Sequence, residues 1–152
     1  MATLKIVPVT PKNAPLAIAL TVDPSQRQMI ETNAQSLSEV QQDRRFDWHP
    51  FLLVADDTPV GFAMIGAYNR EERYIWLDRF MIAAPYQRQG LGSRFLELLK
   101  RLISRQWDVV DIVLSYDQAN LVAARLYQAH GFVPVEMKDG NDPMAVYHVA
   151  QP

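Results

Sequence analysis

The chain has 152 residues, of which 49% are hydrophobic and 21% charged, with a formal net charge of −2 and no cysteine. We expect one globular domain, residues 1–152, with a core large enough to need no disulfide or metal. The lack of cysteine excludes thiolate nucleophiles and cysteine zinc sites. Without a signal sequence or a long apolar run, we expect a cytoplasmic protein that has no membrane partner.

The N-terminal half of the chain predicts a strand, two helices and a hairpin. Asp23-Pro24-Ser25 separates the two helices, and Asp56-Asp57-Thr58-Pro59 is typical of a turn between strands. Runs of apolar residues indicate the strands on either side of that turn. The predicted elements are 4–9 (strand), 12–21 and 25–43 (helices), and 51–55 and 60–68 (strands).

The C-terminal half predicts two further helices, each between strands. Apolar residues recur every three or four positions from Leu91 to Ile103, which indicates an amphipathic helix, and Gly131 is a typical residue just beyond a helix end. The predicted elements are 74–83 (strand), 92–106 (helix), 109–114 (strand), 118–130 (helix), and 133–137 and 144–149 (strands). The order β-α-α-β-β-β-α-β-α-β-β predicts an α/β fold with a mixed sheet.

A glycine-rich turn, here called the phosphate loop (residues 87–93), joins the predicted strand 74–83 to the helix that follows it. Gly90 and Gly92 allow a tight turn and a close approach to a ligand. The helix start offers unpaired N–H groups and the positive end of the helix dipole. The loop therefore predicts a site for a pyrophosphate.

Two common phosphate motifs do not match this loop. A dinucleotide fingerprint would need a third glycine where Phe95 stands, and the Gly-Lys-Ser/Thr of a P-loop is absent. Gln87-x-x-Gly90-x-Gly92 instead resembles the acetyl-CoA loop of the GNAT acyltransferases. This resemblance implies the GNAT fold, whose element order is the one predicted above, and acetyl-CoA as co-substrate.

A second signature lies on the predicted helix 118–130. Asn120 and Tyr127 are seven residues apart, so two helical turns place them on one face, about 10 Å apart along the axis. The stretch Asn120-x6-Tyr127-x3-Gly131-Phe132 also resembles the second signature of the GNAT superfamily. An amide at one end of this face could hold a pantetheine arm while a phenol at the other end reaches the sulfur.

Within this superfamily, the chain resembles the bacterial diamine and spermine/spermidine acetyltransferases. It is carried by residues 60–64, 76–82, 86–87 and 126–128. This resemblance places backbone groups of Phe80, Met81 and Ile82 beside the pantetheine and thioester, and it implies that Asn120 contacts the pantetheine and Tyr127 protonates the leaving thiolate. The residues that it places around the pyrophosphate are Arg88, Gln89, Gly90, Leu91, Gly92 and Ser93, and Gln87 is also expected to bind the cofactor.

The charges are unevenly distributed along the chain. Residues 70–105, which include the phosphate loop, carry a net charge of +4, whereas residues 23–57 and 108–142 each carry −4. A basic segment suits an anionic cofactor and acidic segments suit a cationic second substrate, and this balance argues against nucleic acid as a partner. Solvated faces whose charges never converge are the alternative explanation.

The acceptor amine needs a base and a binding site. Asp78 is the candidate base, although a salt bridge to Arg79 is the simpler explanation for it. Glu31, Glu72 and Asp78 are candidate ligands for ammonium groups, and Trp76 could line a methylene chain. His130 is expected to act as a cation at a helix end.

These observations favour direct acetyl transfer from acetyl-CoA to a small polyamine. Alternative acceptors are a protein α-amine, a lysine or an amino-sugar, and a non-catalytic acyl-CoA sensor is an alternative of another class. No metal is expected, and a homodimer is possible.

Overall fold

The computed structural model describes residues 1–151 and has the predicted element order. Seven strands form one sheet, and four helices cover its two faces. The elements are β1 (Leu4–Pro8), α1 (Ala14–Ile18), α2 (Asn33–Gln42), β2 (His49–Ala55), β3 (Thr58–Asn69), β4 (Tyr74–Ile82), α3 (Leu91–Gln106), β5 (Asp111–Ser115), α4 (Leu121–Ala129), β6 (Val133–Asp139) and β7 (Asp142–His148). The predicted mixed-sheet α/β fold is therefore confirmed.

The predicted helix 25–43 is wrong over residues 25–32. A single 3-10 turn occupies Pro24–Gln26, where the Asp23 carboxylate accepts a hydrogen bond from the Ser25 N–H, and α2 begins only at Asn33. The Thr32 hydroxyl caps α2 by accepting from the Gln35 N–H at 3.1 Å. Local side-chain hydrogen bonds thus outcompete helix propensity here, and residues 27–32 become an irregular segment.

The sheet has the order β1-β2-β3-β4-β5-β7-β6, and all neighbouring strands are antiparallel except β4 and β5. This parallel pair is short, because only residues 74–76 of β4 pair with 111–113 of β5. Beyond these residues β4 continues beside β3 alone, while β5 continues beside β7. The two central strands therefore separate, and a wedge opens between them.

Two apolar layers hold the sheet between its helices. On one face, α3 inserts four fully buried side chains, Phe95, Leu96, Leu99 and Ile103. On the other face, α1 and α2 cover a smaller core that contains Phe62, Met64 and Met81. Among residues 1–151, no helix is long and apolar enough to cross a membrane.

A β-bulge interrupts β4 just where the wedge opens. Asp78 pairs with Met64 and Met81 pairs with Phe62, so β4 has one more residue than β3 between these two pairs. Arg79 occupies the bulge with a φ of +54°, a conformation that costs a non-glycine residue about 1–3 kcal/mol. The bulge changes the direction in which the residues after it point.

The close approach of β3 to β4 just beyond this bulge depends on Gly61, which pairs with Ile82. A Cβ at this position would lie 2.5 Å from the Met81 carbonyl oxygen and 3.1 Å from side-chain atoms of Ile82 and Leu53. We expect Gly61→Ala to force the two strands apart and to lower the free energy of unfolding by about 1–3 kcal/mol, as measured by urea denaturation.

Gly92→Ala is the matched control for this prediction. A Cβ at Gly92 would make only an ordinary contact, 3.6 Å from Leu126, and alanine favours a helix over glycine by about 1 kcal/mol. Stability should therefore be kept or raised. An unchanged urea midpoint for Gly61→Ala would show that β3 and β4 have room to separate at no cost.

Candidate functional site

The wedge between β4 and β5 holds a cavity of about 650 Å³. Its walls come from the segment before α2, the second half of β4, the phosphate loop, the start and inner face of α4, and the tip of the β6–β7 hairpin. Most of the predicted site residues line it: Glu31, Asp78, Phe80, Met81, Ile82, Gln87, Arg88, Gly90, Leu91, Gly92, Ser93, Asn120 and Tyr127.

The phosphate loop presents a continuous row of free backbone donors. From Arg88 to Ser93, no N–H group donates a hydrogen bond to any of the residues 1–151, and the first bond of α3 runs from the Arg94 N–H to the Gly90 carbonyl. Arg88 and Gly90 have positive φ values of +64° and +78°, which turn the chain sharply into the helix. Such a row at a helix start is a binding site for an anion.

Gln87 supports this loop from inside the cavity. Its amide Nε2 donates to the Ile82 carbonyl at 2.8 Å and to the Gln26 side chain at 2.9 Å. It thereby fixes the loop to the end of β4 and to the 3-10 turn at Pro24–Gln26. The side chain is committed to protein groups and holds the loop in place.

The last part of β4 turns free backbone groups towards the cavity. Ile82 lies opposite Gly61, and the next N–H, of Ala83, donates to the Val60 carbonyl. Ile82 is therefore in a non-hydrogen-bonded pair, so its N–H points away from β3. The Phe80 N–H belongs to the bulge, so its direction is determined by the Arg79 conformation and not by this alternation.

Asn120 and Tyr127 lie on the α4 wall of the cavity. The Asn120 side-chain oxygen caps α4 by accepting from the Ala123 N–H at 3.1 Å, and its Nδ2 has no hydrogen-bond partner among residues 1–151. Tyr127 is 8% exposed, and burial raises the pKa of its phenol, with smaller effects of Asp78 and Tyr116 in the same direction. The phenol is therefore protonated at neutral pH.

The opposite end of the cavity carries five carboxylates, here called the acidic cluster: Glu31, Asp78, Asp117, Asp139 and Asp142. Burial raises the pKa of Asp78, and Glu31 and Asp139 add to this effect while Arg79 opposes it. Burial also raises the pKa of Asp142, followed by the charges of Asp117, Asp139 and Glu31. The acidic segments of the sequence thus converge on one place.

Three of the predicted residues lie outside the cavity. Glu72 is in the turn at the far end of β4, where its N–H donates to Asn69, and Trp76 lies where β4 is still paired with β5. Gln89 contacts Pro85. The expectation that Glu72 and Trp76 bind the acceptor is therefore revised, since both precede the wedge.

Other residues were missed or assigned no role by sequence reasoning. Asp117, Asp139 and Asp142 were counted only as part of an acidic segment, because residues in a loop or at a hairpin tip carry no signal of what lies beside them. His130 does not reach the cavity and its Nδ1 lies 2.6 Å from Glu97. Among residues 1–151, no group of three or more His, Asp or Glu side chains is arranged to hold a metal.

Comparisons with known proteins agree with this geometry. Residues 18–132 match the Acetyltransferase (GNAT) family. The chain is 32% identical over 136 residues to the spermine/spermidine N(1)-acetyltransferase of Bacillus subtilis, covering 86% of this chain and 88% of that protein.

Solved structures show the same fold. An acetyltransferase from Thermus thermophilus superposes with a TM-score of 0.76 at 28% identity, covering 97% of both chains. The PaiA N-acetyltransferase from Thermoplasma acidophilum, solved in complex with coenzyme A, gives a TM-score of 0.74 at 15% identity and covers 97% of this chain and 99% of that one. The chain therefore belongs to the GNAT family and is an acetyl-CoA-dependent N-acetyltransferase.

Proposed function

We propose that the protein transfers the acetyl group of acetyl-CoA directly to a primary amine of a small polyamine such as spermidine or spermine. The observation that carries this proposal is the polarity of the cavity, which has the free N–H groups of a helix start at one end and the acidic cluster at the other. The 32% identity to the spermine/spermidine acetyltransferase of Bacillus subtilis supports the same acceptor.

In this proposal acetyl-CoA lies along the wedge. Its pyrophosphate accepts hydrogen bonds from the free N–H groups of residues 88–93, beside the positive charge of Arg88. The pantetheine arm takes the position that β5 has vacated, where the free N–H groups of Phe80 and Ile82 and the Nδ2 of Asn120 meet its amides. The thioester then lies between β4 and Tyr127.

In the proposed reaction the acetyl group is transferred directly from acetyl-CoA to the amine. The amine nitrogen attacks the thioester carbonyl, so the N–C bond forms, and the developing oxyanion accepts from a backbone N–H of β4. The C–S bond breaks, and Tyr127 donates its phenolic proton to the departing thiolate. The ammonium proton leaves before attack, and a second N–H proton leaves the nitrogen as the amide forms and restores the Tyr127 phenol through solvent. With no cysteine in the chain there is no thiol to carry an acyl-enzyme.

The amine must lose its proton within the acidic cluster. At a pKa of about 10.4, one amine in roughly 2,500 is neutral at pH 7, a cost of about 4.6 kcal/mol. Asp78 is partly buried beside the thioester position, and burial raises the pKa of its carboxyl, which makes it a stronger base than an exposed aspartate. We assign it the role of base, acting directly or through a water molecule.

Cofactor affinity is predicted to depend on Gly92. Gly92→Val places a branched side chain among the N–H groups that face the pyrophosphate, so we expect a loss of acetyl-CoA affinity of about tenfold or more, or about 1.4 kcal/mol, by calorimetry. Arg101→Val, on an exposed turn of the same helix, is the control and should bind normally. Equal affinity in both variants would remove the loop from the site.

Catalysis is predicted to depend on the Tyr127 hydroxyl. Tyr127→Phe should lower kcat by roughly 10²-fold while acetyl-CoA affinity and stability are nearly unchanged. Tyr116→Phe is the matched control, because its ring also lines the cavity, 5.7 Å from that of Tyr127. A Tyr127→Phe enzyme that keeps most of its kcat would make this tyrosine a packing residue and would favour another proton donor.

The acceptor assignment is tested with amines of matched length. Spermidine and putrescine should be acetylated far better than butylamine, because the acidic cluster holds a second ammonium while the first reacts. Added salt should raise KM for spermidine more than for acetyl-CoA, and kcat/KM should rise from about pH 7 to 9 as the amine deprotonates.

Substitutions in the acidic cluster separate binding from chemistry. Asp139→Asn and Asp142→Asn should each raise KM for spermidine several-fold with acetyl-CoA binding unchanged, whereas Glu72→Gln, outside the cavity, should have no effect. Equal turnover of butylamine and putrescine without a salt effect would contradict the polyamine assignment. An amino-sugar or a peptide α-amine that is preferred in the same assay would then identify the acceptor.

A further inference from the structure

The guanidinium of Arg79 joins the bulge of β4 to the helical layer beside it. Its Nε lies 2.9 Å from Glu31, and its NH1 lies 2.7 Å from Glu39 and 3.0 Å from the Ser36 hydroxyl. The side chain is 16% exposed, and Ser36 is fully buried. One side chain thus connects the bulge, the middle of α2 and the irregular segment that precedes α2.

The backbone of the same residue holds a group of the site. The Arg79 N–H donates to the Asp78 carboxylate at 2.8 Å, while the guanidinium itself is 4.0 Å from that carboxylate. Arg79 therefore does not form the close ion pair with Asp78 that the sequence suggested. Its close contacts are instead with Glu31, Glu39 and Ser36, and its own backbone N–H orients Asp78.

The bulge conformation needs support from its surroundings. A non-glycine residue with a φ of +54° is retained only where other contacts fix it, and here the contacts on α2 and Glu31 supply them. The orientation of the Asp78 carboxylate and the direction of the next N–H, that of Phe80, both depend on this conformation. Glu31, at the acidic cluster, is held by the same guanidinium.

We propose that Arg79 is the positioning residue of the active site. By anchoring the β4 bulge to α2 and Glu31, it sets the direction of Asp78 and of the Phe80 N–H relative to the thioester and fixes the irregular segment as the outer wall of the acceptor site. The proposal rests on the N-acetyltransferase activity and not on the identity of the acceptor.

Arg79 also acts on Asp78 by its charge. The charged and titratable groups that face Asp78 are Arg79 on its own strand, Glu31 from the segment before α2, Asp139 from β6 and Tyr127 from α4. Arg79 lowers the pKa of Asp78, whereas burial, Glu31 and Asp139 raise it. Loss of the guanidinium should therefore move the protonation of Asp78 to higher pH.

The test compares Arg79→Gln with Arg73→Gln. Arg73, at the other end of β4, also has a positive φ and an ion pair, to Asp108 at 2.7 Å, but it does not line the cavity. The acceptor is whichever amine of a broad panel is turned over fastest, so that failure of the polyamine assignment leaves this test intact. Arg79→Gln should lower kcat about 30-fold or more, since small displacements at a reacting centre have effects of this size.

Two further readouts distinguish positioning from loss of fold. Acetyl-CoA affinity should stay within about threefold of the wild type. Below the rise that the amine itself causes, the lower break in kcat/KM, which reports Asp78, should move up by at least about 0.5 pH unit. Arg79→Lys should restore the pH profile, because it keeps the charge. It should restore kcat only in part, because an ammonium cannot reproduce the forked contacts with Glu31, Glu39 and Ser36.

Glu39→Gln tests the same connection from the α2 side. It removes one carboxylate from the guanidinium without altering β4, and we expect kcat to fall about three- to tenfold with acetyl-CoA affinity kept. The proposal is overturned if Arg79→Gln keeps its kcat and its pH profile. It is also overturned if Arg79→Gln fails to fold and Glu39→Gln then has the kcat of the wild type, or if Arg73→Gln has effects equal to those of Arg79→Gln.

Discussion

The separation of β4 from β5 is the constraint on which the rest of the structure depends. Backbone N–H and C=O groups in the middle of a sheet need partners, yet β4 loses its neighbour on one side after residue 76. The groups exposed by this separation have the spacing of a strand edge, so an extended ligand with amides can pair with them as a missing strand would. The pantetheine arm of acetyl-CoA is such a ligand. The cavity therefore occupies the position that a further paired strand would take beside β4.

The charges at the two ends of the wedge follow from its position in the fold. At one end the chain leaves β4 and enters α3, so a helix start and its free N–H groups necessarily lie beside the strand end. At the other end the β6–β7 hairpin and the segment before α2 meet over the bulge, and both are acidic. An anionic cofactor and a cationic acceptor would thus be held at opposite ends, and acetylation of a terminal amine would remove one of the positive charges that hold the acceptor.

The sequence was informative wherever a local pattern determined the result. The apolar periodicity of residues 91–103 predicted α3, and the Gln87-x-x-Gly90-x-Gly92 loop predicted the anion site beside it. The seven-residue spacing of Asn120 and Tyr127 placed both on one wall of the cavity. Each of these predictions depends on residues that are close together in the chain, so the geometry of one helix or one glycine turn is sufficient to make it.

Contacts between distant segments could not be predicted in the same way. Glu72 was named as a candidate ligand and Asp142 was not, although nothing local distinguishes two acidic residues, and only the direction of β4 shows that Glu72 lies outside the cavity. The bulge at Arg79 left no pattern, because its positive φ depends on Glu31, Ser36 and Glu39, at least 40 positions earlier in the chain. The late start of α2 is an exception, because the Asp23 and Thr32 caps that determine it are local and compete with the helical periodicity.

The acceptor site and the proton donor are coupled through Asp78. In the proposed reaction Asp78 must be ionised and Tyr127 protonated in the same complex, and the surroundings favour this combination, since burial and, to a lesser extent, the negative charge of Asp78 raise the pKa of the phenol. The leaving thiolate, with an ordinary thiol pKa of about 8.5, is a weaker base than the Tyr127 phenolate. Proton transfer from the phenol to the thiolate is therefore unfavourable. An acceptor ammonium beside Asp78, or a proton passed to Asp78 by the amine, would cancel the negative charge and make the phenol a stronger acid. Binding of the acceptor would therefore lower the pKa of the Tyr127 phenol and favour proton transfer to the leaving thiolate.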